Sequence, residues 1–160
     1  MSWLDRRTFL IAPLALAACG FEPVYGPGGN GQILQNRVLV DPPGSHDSYL
    51  LVRELEERLG RSENPDFALS MILNVAEAQL AIDREGDTGR FNRIAAVQYS
   101  LRDLRTGRIV TSGTVENFVG YSATGTTVET LAGELDSQQR LMNVIADQIV
   151  TRLYAATLDR

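Results

Sequence analysis

The sequence predicts an α/β sandwich in which two helices pack on one face of a four-stranded mixed sheet. Apolar and polar residues alternate over residues 67–75 and again over residues 91–101, a tight-turn signal lies at residues 103–108, and a long amphipathic pattern fills the C-terminal part of the chain. A sheet with one apolar face and helices with one apolar stripe can bury each other. The expected order is strand, helix, three strands and helix, in a single domain over residues 32–160.

The first strand is predicted from an apolar run over residues 33–40, which Pro42-Pro43-Gly44 ends. A helix follows, with Asp47 or Ser48 as its N-terminal cap and an end near Leu59. Its apolar side chains share one face, and they are Leu51, Val52, Leu55 and Leu59. The pattern leaves the partner of the first strand open. Parallel pairing with a neighbour would make this helix a right-handed crossover.

Two alternating stretches are predicted to form a long antiparallel hairpin. Every second residue of the first is apolar, namely Phe67, Leu69, Met71, Leu73 and Val75. The second shows the same alternation with Phe91, Ala95, Val97, Tyr99 and Leu101. A charged, glycine-containing turn from Asp83 to Arg90 connects them. Each strand should therefore have one buried face.

A tighter hairpin is predicted at residues 103–108, where Gly107 occupies a position that requires a left-handed backbone. The fourth strand then extends from Ile109 to Tyr121. Its pattern does not decide which face is buried, because two of its apolar residues fall opposite two others: Val110 and Phe118 against Val115 and Val119.

The last helix should begin after Thr126, which forms a capping-box pattern with Glu129. Its apolar residues recur at spacings of three and four, and the helix is long enough to cross the whole sheet. These residues are Leu131, Leu135, Met142, Ile145, Ile149, Leu153 and Ala156.

Residues 1–18 have the layout of an export signal. Asp5-Arg6-Arg7 supplies a short charged region, and an apolar run extends from Phe9 to Ala18. This run is much shorter than the ~20 apolar residues that span a bilayer. The arginine pair also fits a twin-arginine signal, so export in an unfolded state and export in a folded state are both open.

Leu16-Ala17-Ala18-Cys19 resembles the bacterial lipobox, which predicts that Cys19 is lipidated and becomes the first mature residue. Each buried methylene contributes about 0.8 kcal/mol, so the several acyl chains of such a lipoprotein form a stable anchor. By the sorting rules of these lipoproteins, Gly20 favours the outer membrane. The Gly- and Pro-rich composition of residues 19–31 predicts a flexible, lipidated tether.

The composition excludes several classes of function. A formal charge of −5 disfavours nucleic-acid binding, which depends on neutralising phosphates with Lys and Arg. Cys19 is the sole cysteine, so the chain forms no internal disulfide and no thiolate metal cluster. No motif pairs a nucleophile with a base or cradles a phosphate. We therefore predict a protein that is not an enzyme and uses no cofactor or metal.

Two groups of polar residues have a structural interpretation. His46, the only histidine, lies in a turn before a helix and lacks neighbouring metal ligands in the sequence. Glu54, Glu56 and Glu57 look like paired carboxylates, but they alternate with arginines on one helix and indicate a solvated charged face.

The stretch Cys19-Gly20-Phe21-Glu22-Pro23-Val24-Tyr25-Gly26 resembles the opening of mature LptE, the lipopolysaccharide-assembly lipoprotein family, with Val24 in place of the usual leucine. The order of elements is similar too. In the last helix, Asp136, Arg140 and residues 146–149 and 152–153 stand in a similar pattern. The resemblance covers most of the mature chain.

This resemblance implies a partner, a cargo and a location. Members of the LptE family plug the lumen of the outer-membrane barrel LptD and help place lipopolysaccharide in the outer leaflet. The domain would lie inside the barrel, and the acyl chains of Cys19 would occupy the inner leaflet of the outer membrane, facing the periplasm. Lipopolysaccharide carries phosphates and carboxylates, so the candidate contacts are the arginines at the hairpin ends. They are Arg84, Arg90 and Arg93 at one end, and Arg105 and Arg108 at the other.

Two other functions fit the same layout. An accessory lipoprotein of an ABC-type lipid transporter would also be small, anchored and α/β, and a purely structural envelope lipoprotein would touch no lipid cargo. The opening motif favours LptE over the transporter accessory. Each candidate arginine also has a simpler interpretation as a solvated turn charge, balanced by Asp83, Glu85, Asp87 or Asp103.

Overall fold

The structure, a computed structural model, describes residues 24, 26, 29–82, 88–123 and 126–156 of the 160-residue chain. Cys19, Arg84 and the predicted export signal lie outside these residues. The elements in chain order are α1 (Asn30–Leu34), β1 (Val38–Val40), α2 (His46–Leu59), β2 (Phe67–Ile82), β3 (Thr88–Asp103), β4 (Ile109–Ser122) and α3 (Thr127–Ala155). The predicted order of strands and long helices is confirmed, with the short helix α1 in front of it.

The four strands form one mixed sheet in the order β1-β2-β3-β4. β1 pairs parallel with β2, whereas β2 with β3 and β3 with β4 are antiparallel. This confirms the predicted hairpins and makes α2 the crossover between the two parallel strands. β1 pairs only with Phe67–Leu69, so the rest of that edge of β2 has no strand partner among the described residues.

The prediction for the first strand was wrong at its start. Ile33 and Leu34 belong to α1, and only Val38–Val40 is a strand. Leu34 is fully buried, and Asn36 takes a left-handed conformation with φ of 57°, which separates the helix from the strand. A short apolar run does not distinguish a buried helical turn from a strand.

The cap of α2 also differs from the prediction, because Ser45 occupies that position in place of Asp47 or Ser48. The Ser48 backbone N–H donates to Ser45 Oγ over 3.2 Å, and the Ser45 N–H donates to Ser48 Oγ over 2.8 Å. Ser48 therefore fills the role that Glu or Gln usually has at the third position of a capping box. His46 becomes the first residue of the helix.

A β-bulge explains why Val110 lies on the same, buried face of β4 as Val115 and Val119. Leu101 pairs with Thr111 while its neighbour Arg102 pairs with Ile109, so Val110 is an extra residue in β4. The extra residue returns Val110 to the side of the core, so Val110 and Val119 both pack against the buried core. Phe118 points to the other face and is 60% exposed.

The core lies between one face of the sheet and the two long helices. The buried side chains of α3 are concentrated in its C-terminal half and pack on the buried side chains of the strands. From α3 they include Leu141, Met142, Ile145, Ile149 and Leu153, and from the sheet Leu69, Ala95, Val97, Leu101 and Val115. Leu131 and Leu135, which the pattern placed on the same helical face, are 54% and 52% exposed. The N-terminal part of α3 therefore extends beyond the buried core of the domain.

The sandwich has two distinct ends. At the tether end, Asn30 Nδ2 donates to the Tyr154 carbonyl over 2.7 Å, the Asn36 N–H to the Leu59 carbonyl over 2.7 Å, and the Leu104 N–H to the Asp66 carbonyl over 2.9 Å. This end therefore contains α1, the ends of α2 and α3, and the β3–β4 turn. The far end contains the tips of β2 and β3, the end of β4 and the start of α3.

Glu54 corrects the prediction of a solvated charged face on α2. It is 5% exposed and lies where α2 packs on α3. Arg58 Nη1 donates to Glu54 Oε2 over 2.8 Å, and Gln139 and Asn143 of α3 donate to the two carboxylate oxygens over 2.7 and 3.0 Å. The carboxylate thus joins the two helices through charge-assisted hydrogen bonds.

We expect Glu54→Ala to lower the free energy of unfolding by about 2–3 kcal/mol, because it leaves the partly buried donors of Arg58, Gln139 and Asn143 without this acceptor. Burial acts to raise the pKa of Glu54, but hydrogen bonds and charge from Arg58 and Arg53 outweigh it and lower the pKa below 4.5. The stabilisation should therefore be present above pH 4.5 and be lost as the pH falls through the lowered pKa. Urea unfolding at several pH values measures it.

The matched control is Glu57→Ala, because Glu57 is exposed on the same helix. This variant should change stability by less than about 0.5 kcal/mol. Equal effects of the two variants at neutral pH, or a Glu54→Ala effect that does not shrink in acid, would contradict the assigned role of the carboxylate.

Candidate functional site

The structure separates the candidate arginines into two groups at opposite ends of the sheet. Arg90 and Arg93 lie on β3 near the far end, and Arg105 and Arg108 lie in the β3–β4 turn at the tether end. Arg84 lies outside the described residues. The sequence placed these arginines at hairpin ends, and the structure agrees for the four that it describes.

Arg93 faces the helices and has only 15% of its side chain exposed. Its guanidinium contacts the carboxylate of Glu134 on α3, with Nη1 and Oε1 3.4 Å apart. Glu77 of β2 is its partner across the β2–β3 pair. Nε of Arg93 is buried and has no hydrogen-bond partner among the described residues. Arg93 therefore keeps unused hydrogen-bonding capacity next to a polar cluster.

Tyr121 of β4 completes this polar cluster. Its hydroxyl donates to Glu77 Oε2 over 2.9 Å, and its ring stacks on Phe91 with centroids 5.4 Å apart. Burial and the hydrogen bond to Glu77 raise the pKa of Tyr121 to about 12, with smaller contributions from nearby charges. The phenol therefore stays protonated and acts as a donor at neutral pH. We call Glu77, Arg93, Tyr121 and Glu134 the far-end cluster.

Arg90 and Arg93 do not act on the same face. Arg90 is exposed and pairs in register with Ser122. The two positions are three residues apart on a strand, so their side chains point to opposite faces of the sheet. Arg90 is therefore available to an anionic ligand from solvent, whereas Arg93 is reached from the helical side.

Arg105 and Arg108 are both exposed in the β3–β4 turn. Asp103 Oδ1 accepts hydrogen bonds from the backbone N–H groups of Arg105 and Thr106, each over 2.8 Å. The hydrogen bond from the Thr106 backbone is the main cause that lowers the pKa of Asp103. Gly107 has φ of 73°, which confirms the left-handed position expected there. The Asp103 carboxylate and the backbone hold the turn, and the side chains of Arg105 and Arg108 are exposed.

Sequence reasoning missed three of the four members of the far-end cluster. Glu77, Tyr121 and Glu134 belong to different elements, and only the strand register and the position of α3 bring them together. The inward orientation of Glu77 and Tyr121 follows from the alternation of their strands, which was the available signal.

The described residues offer no sign of a metal site or a membrane-spanning helix. They contain no group of three or more His, Cys, Asp or Glu side chains placed to hold a metal ion. No helix within the same residues combines the length and apolar character needed to cross a bilayer.

Solved structures with the same fold are known. A candidate lipoprotein from Caulobacter crescentus CB15 superposes with a TM-score of 0.64 at 19% identity, covering 79% of this chain and 93% of that one. The rare lipoprotein B from Shewanella oneidensis gives 0.55 at 13%, covering 76% and 94%. A minor lipoprotein from Acinetobacter baumannii gives 0.55 at 17%, covering 75% and 93%. At these identities the likeness shows the fold.

Comparison of the sequence with family models identifies the family as well as the fold. No curated protein matches the chain significantly, but residues 36–153 match the family model for LptE, described as lipopolysaccharide-assembly. The match includes β1 and most of α3 and covers more than half of the chain. The family is non-catalytic, which confirms the prediction that the protein is not an enzyme. The chain belongs to the LptE family of lipopolysaccharide-assembly lipoproteins.

Proposed function

We propose that the protein is lipidated at Cys19, is held in the inner leaflet of the outer membrane, and occupies the lumen of an LptD-type barrel during lipopolysaccharide assembly. Membership of the LptE family is the observation that carries this proposal. The lipobox and Gly20 support the anchor and its location. The exposed apolar surface at the start of α3 and on the outer face of the sheet supports a large protein partner.

The first part of α3 carries an apolar stripe without a core beneath it. Val128, Leu131 and Leu135 are 76%, 54% and 52% exposed. Their spacings of three and four residues place them on one side of the helix. Contiguous apolar surface of this kind on a soluble domain marks an interaction site. We call these three residues the α3 stripe.

The sheet adds to this surface. On the face away from the helices, Ile72 of β2 is 62% exposed and Phe118 of β4 is 60% exposed. The open edge of β2 presents unpaired backbone groups beside Ile72. Apolar surface therefore lies on both sides of the domain, which suits a partner that surrounds it rather than one that touches a single side.

The far end also suits contact with the cargo. Arg90 is exposed there, and Arg93 has an unused donor in the far-end cluster. Arg90 on the outer face and Arg93 on the helical side would each bind phosphate or carboxylate groups of lipopolysaccharide, for which guanidinium is the preferred partner. Arg84 is a third candidate. Arg105 and Arg108 stay as candidates for a second contact at the tether end. A purely structural lipoprotein would lack this contact with lipopolysaccharide. The effect of Arg90→Glu on lipopolysaccharide binding distinguishes the two functions.

Replacing Leu131 and Leu135 by Ser should reduce the amount of a large β-barrel that co-purifies with the protein by at least about tenfold, because two buried contacts of an interface are lost. Both side chains are half exposed, so the fold should be little affected. The measurement is detergent extraction, affinity purification and identification of the partner.

Tyr49→Ser is the matched control, because Tyr49 is 54% exposed on α2 and lies outside the α3 stripe. It should leave barrel recovery unchanged. Equal recovery with the double variant would refute the role of the α3 stripe. Recovery of an inner-membrane permease instead of a barrel would overturn the assembly role itself.

Arg90→Glu should weaken binding of purified lipopolysaccharide by about tenfold or more, because it replaces a charge-assisted contact with repulsion. Arg140→Glu is the control, since Arg140 is exposed on α3, where it pairs with Asp136. A calorimetric or fluorescence titration measures both. Unchanged binding with Arg90→Glu would remove this residue from the cargo site and favour a structural role.

A further inference from the structure

A row of side chains crosses the outer face of the sheet at the tether end. The strand registers align Leu39 with Ala68, Ala68 with Arg102, and Arg102 with Ile109. Paired residues on one face of a sheet have Cβ atoms about 5 Å apart, so these side chains form a continuous surface. Leu39 and Ile109 are 50% and 55% exposed. The contacts proposed for the barrel and for lipopolysaccharide do not involve these residues.

The β3–β4 turn continues this surface beyond the ends of the strands. Leu104 is 45% exposed, and Arg105 and Arg108 are exposed on the same turn. The result is a surface of exposed apolar side chains and three arginines, which we call the tether-end patch. Its members are Leu39, Arg102, Leu104, Arg105, Arg108 and Ile109. Arg102 lies within the row and donates to the Gly107 carbonyl over 2.8 Å, whereas Arg105 and Arg108 lie in the turn.

The charge of this patch is opposite to that of the chain. The whole chain carries a formal charge of −5, whereas the turn over residues 102–108 has three arginines and one acid, Asp103. Asp103 uses an oxygen to hold the turn backbone, and none of the ion pairs between described residues includes Arg105 or Arg108. Elsewhere at this end, Arg37 and Asp66 form an ion pair over 2.6 Å, and the exposed Glu63 lies in the same group of residues.

The patch lies at the end where the anchor attaches. The Val24 carbonyl accepts a hydrogen bond from the Gly31 N–H over 2.9 Å, and α1 is joined to the end of α3 through Asn30. Four residues separate Val24 from Cys19, and the five Cα–Cα steps between them span at most about 18 Å. Acyl chains on Cys19 would therefore keep this end of the domain close to the lipid headgroups.

We propose that the tether-end patch docks on an anionic phospholipid surface. Leu104 and Ile109 would enter the headgroup layer, and Arg105 and Arg108 would bind lipid phosphates while their stems cover apolar surface. A docked patch fixes the orientation of the domain relative to the membrane, which a flexible tether alone cannot do. This inference rests on the lipidation of Cys19 that is part of the proposed function.

The test uses the mature, acylated protein with Thr106→Cys, because acylation consumes the thiol of Cys19, the only natural cysteine. An environment-sensitive fluorophore on residue 106 is compared on vesicles of phosphatidylcholine and on vesicles that also contain phosphatidylglycerol. The anionic vesicles should shift the emission to shorter wavelength and protect the fluorophore from acrylamide. High salt should reverse both effects, since the screening length falls to about 3 Å at 1 M.

Two variants make the test specific. Arg105→Glu with Arg108→Glu should lower the docked fraction by at least about tenfold, because each basic residue near an anionic surface contributes roughly fivefold in affinity. A fluorophore at Ser122→Cys, exposed at the far end, should report no difference between the two vesicles.

Equal quenching at residue 106 on both vesicles, with the protein still bound to them, would overturn the patch and leave the lipid anchor intact. Equal protection at residue 122 would likewise overturn the proposed orientation. Protection only by vesicles that contain lipopolysaccharide would reassign the patch to cargo contact. A protein that does not stay on vesicles would refute lipidation and the patch together.

Discussion

The packing of the C-terminal half of α3 on the inner face of the sheet is the interaction on which the rest of the structure depends. Leu141, Met142, Ile145, Ile149 and Leu153 are fully buried there, and each buried side chain of this size contributes about 1.5–3 kcal/mol. The same stretch of helix holds α1 through the Tyr154 carbonyl and α2 through the hydrogen bonds of Gln139 and Asn143 to Glu54. Both other helices are thus positioned by α3.

This arrangement gives the domain a polarity with functional consequences. The half near the tether contains most of the core, while α3, at 29 residues about 43 Å long, continues beyond it to the far end. There the α3 stripe is exposed and the far-end cluster replaces apolar packing on the inner face. The anchored half would supply stability and orientation, and the far half would supply the surfaces for a barrel and its cargo.

Much of the fold could be predicted because alternation reports burial directly. The inward residues of β2 and β3, the Thr126–Glu129 capping box and the turn at Gly107 follow from local pattern, and all are present. Three features could not be predicted from the local sequence pattern. Ile33 and Leu34 form a helical turn because the core accepts Leu34, Val110 turns inward because of a bulge, and Glu54 is buried because α3 supplies its partners.

The candidate site was predictable only in part. The sequence placed the arginines at the two ends of the hairpins, but the packing of Arg93 beside Glu77 and Glu134 depends on strand register and on the position of α3. The resemblance to LptE rested mainly on residues 19–26, whereas the family match covers residues 36–153. The opening motif and the folded domain therefore support the same family independently.

Hydrogen exchange along α3 tests the central claim, that the core holds the C-terminal half of this helix and leaves its beginning to a partner. In the free protein, backbone amides from Leu141 to Leu153 should exchange only through global unfolding, and those from Leu131 to Leu135 should exchange through local opening at a much lower free energy. Binding of the barrel should then slow the second group selectively. Uniform protection along the whole helix in the free protein would contradict the account.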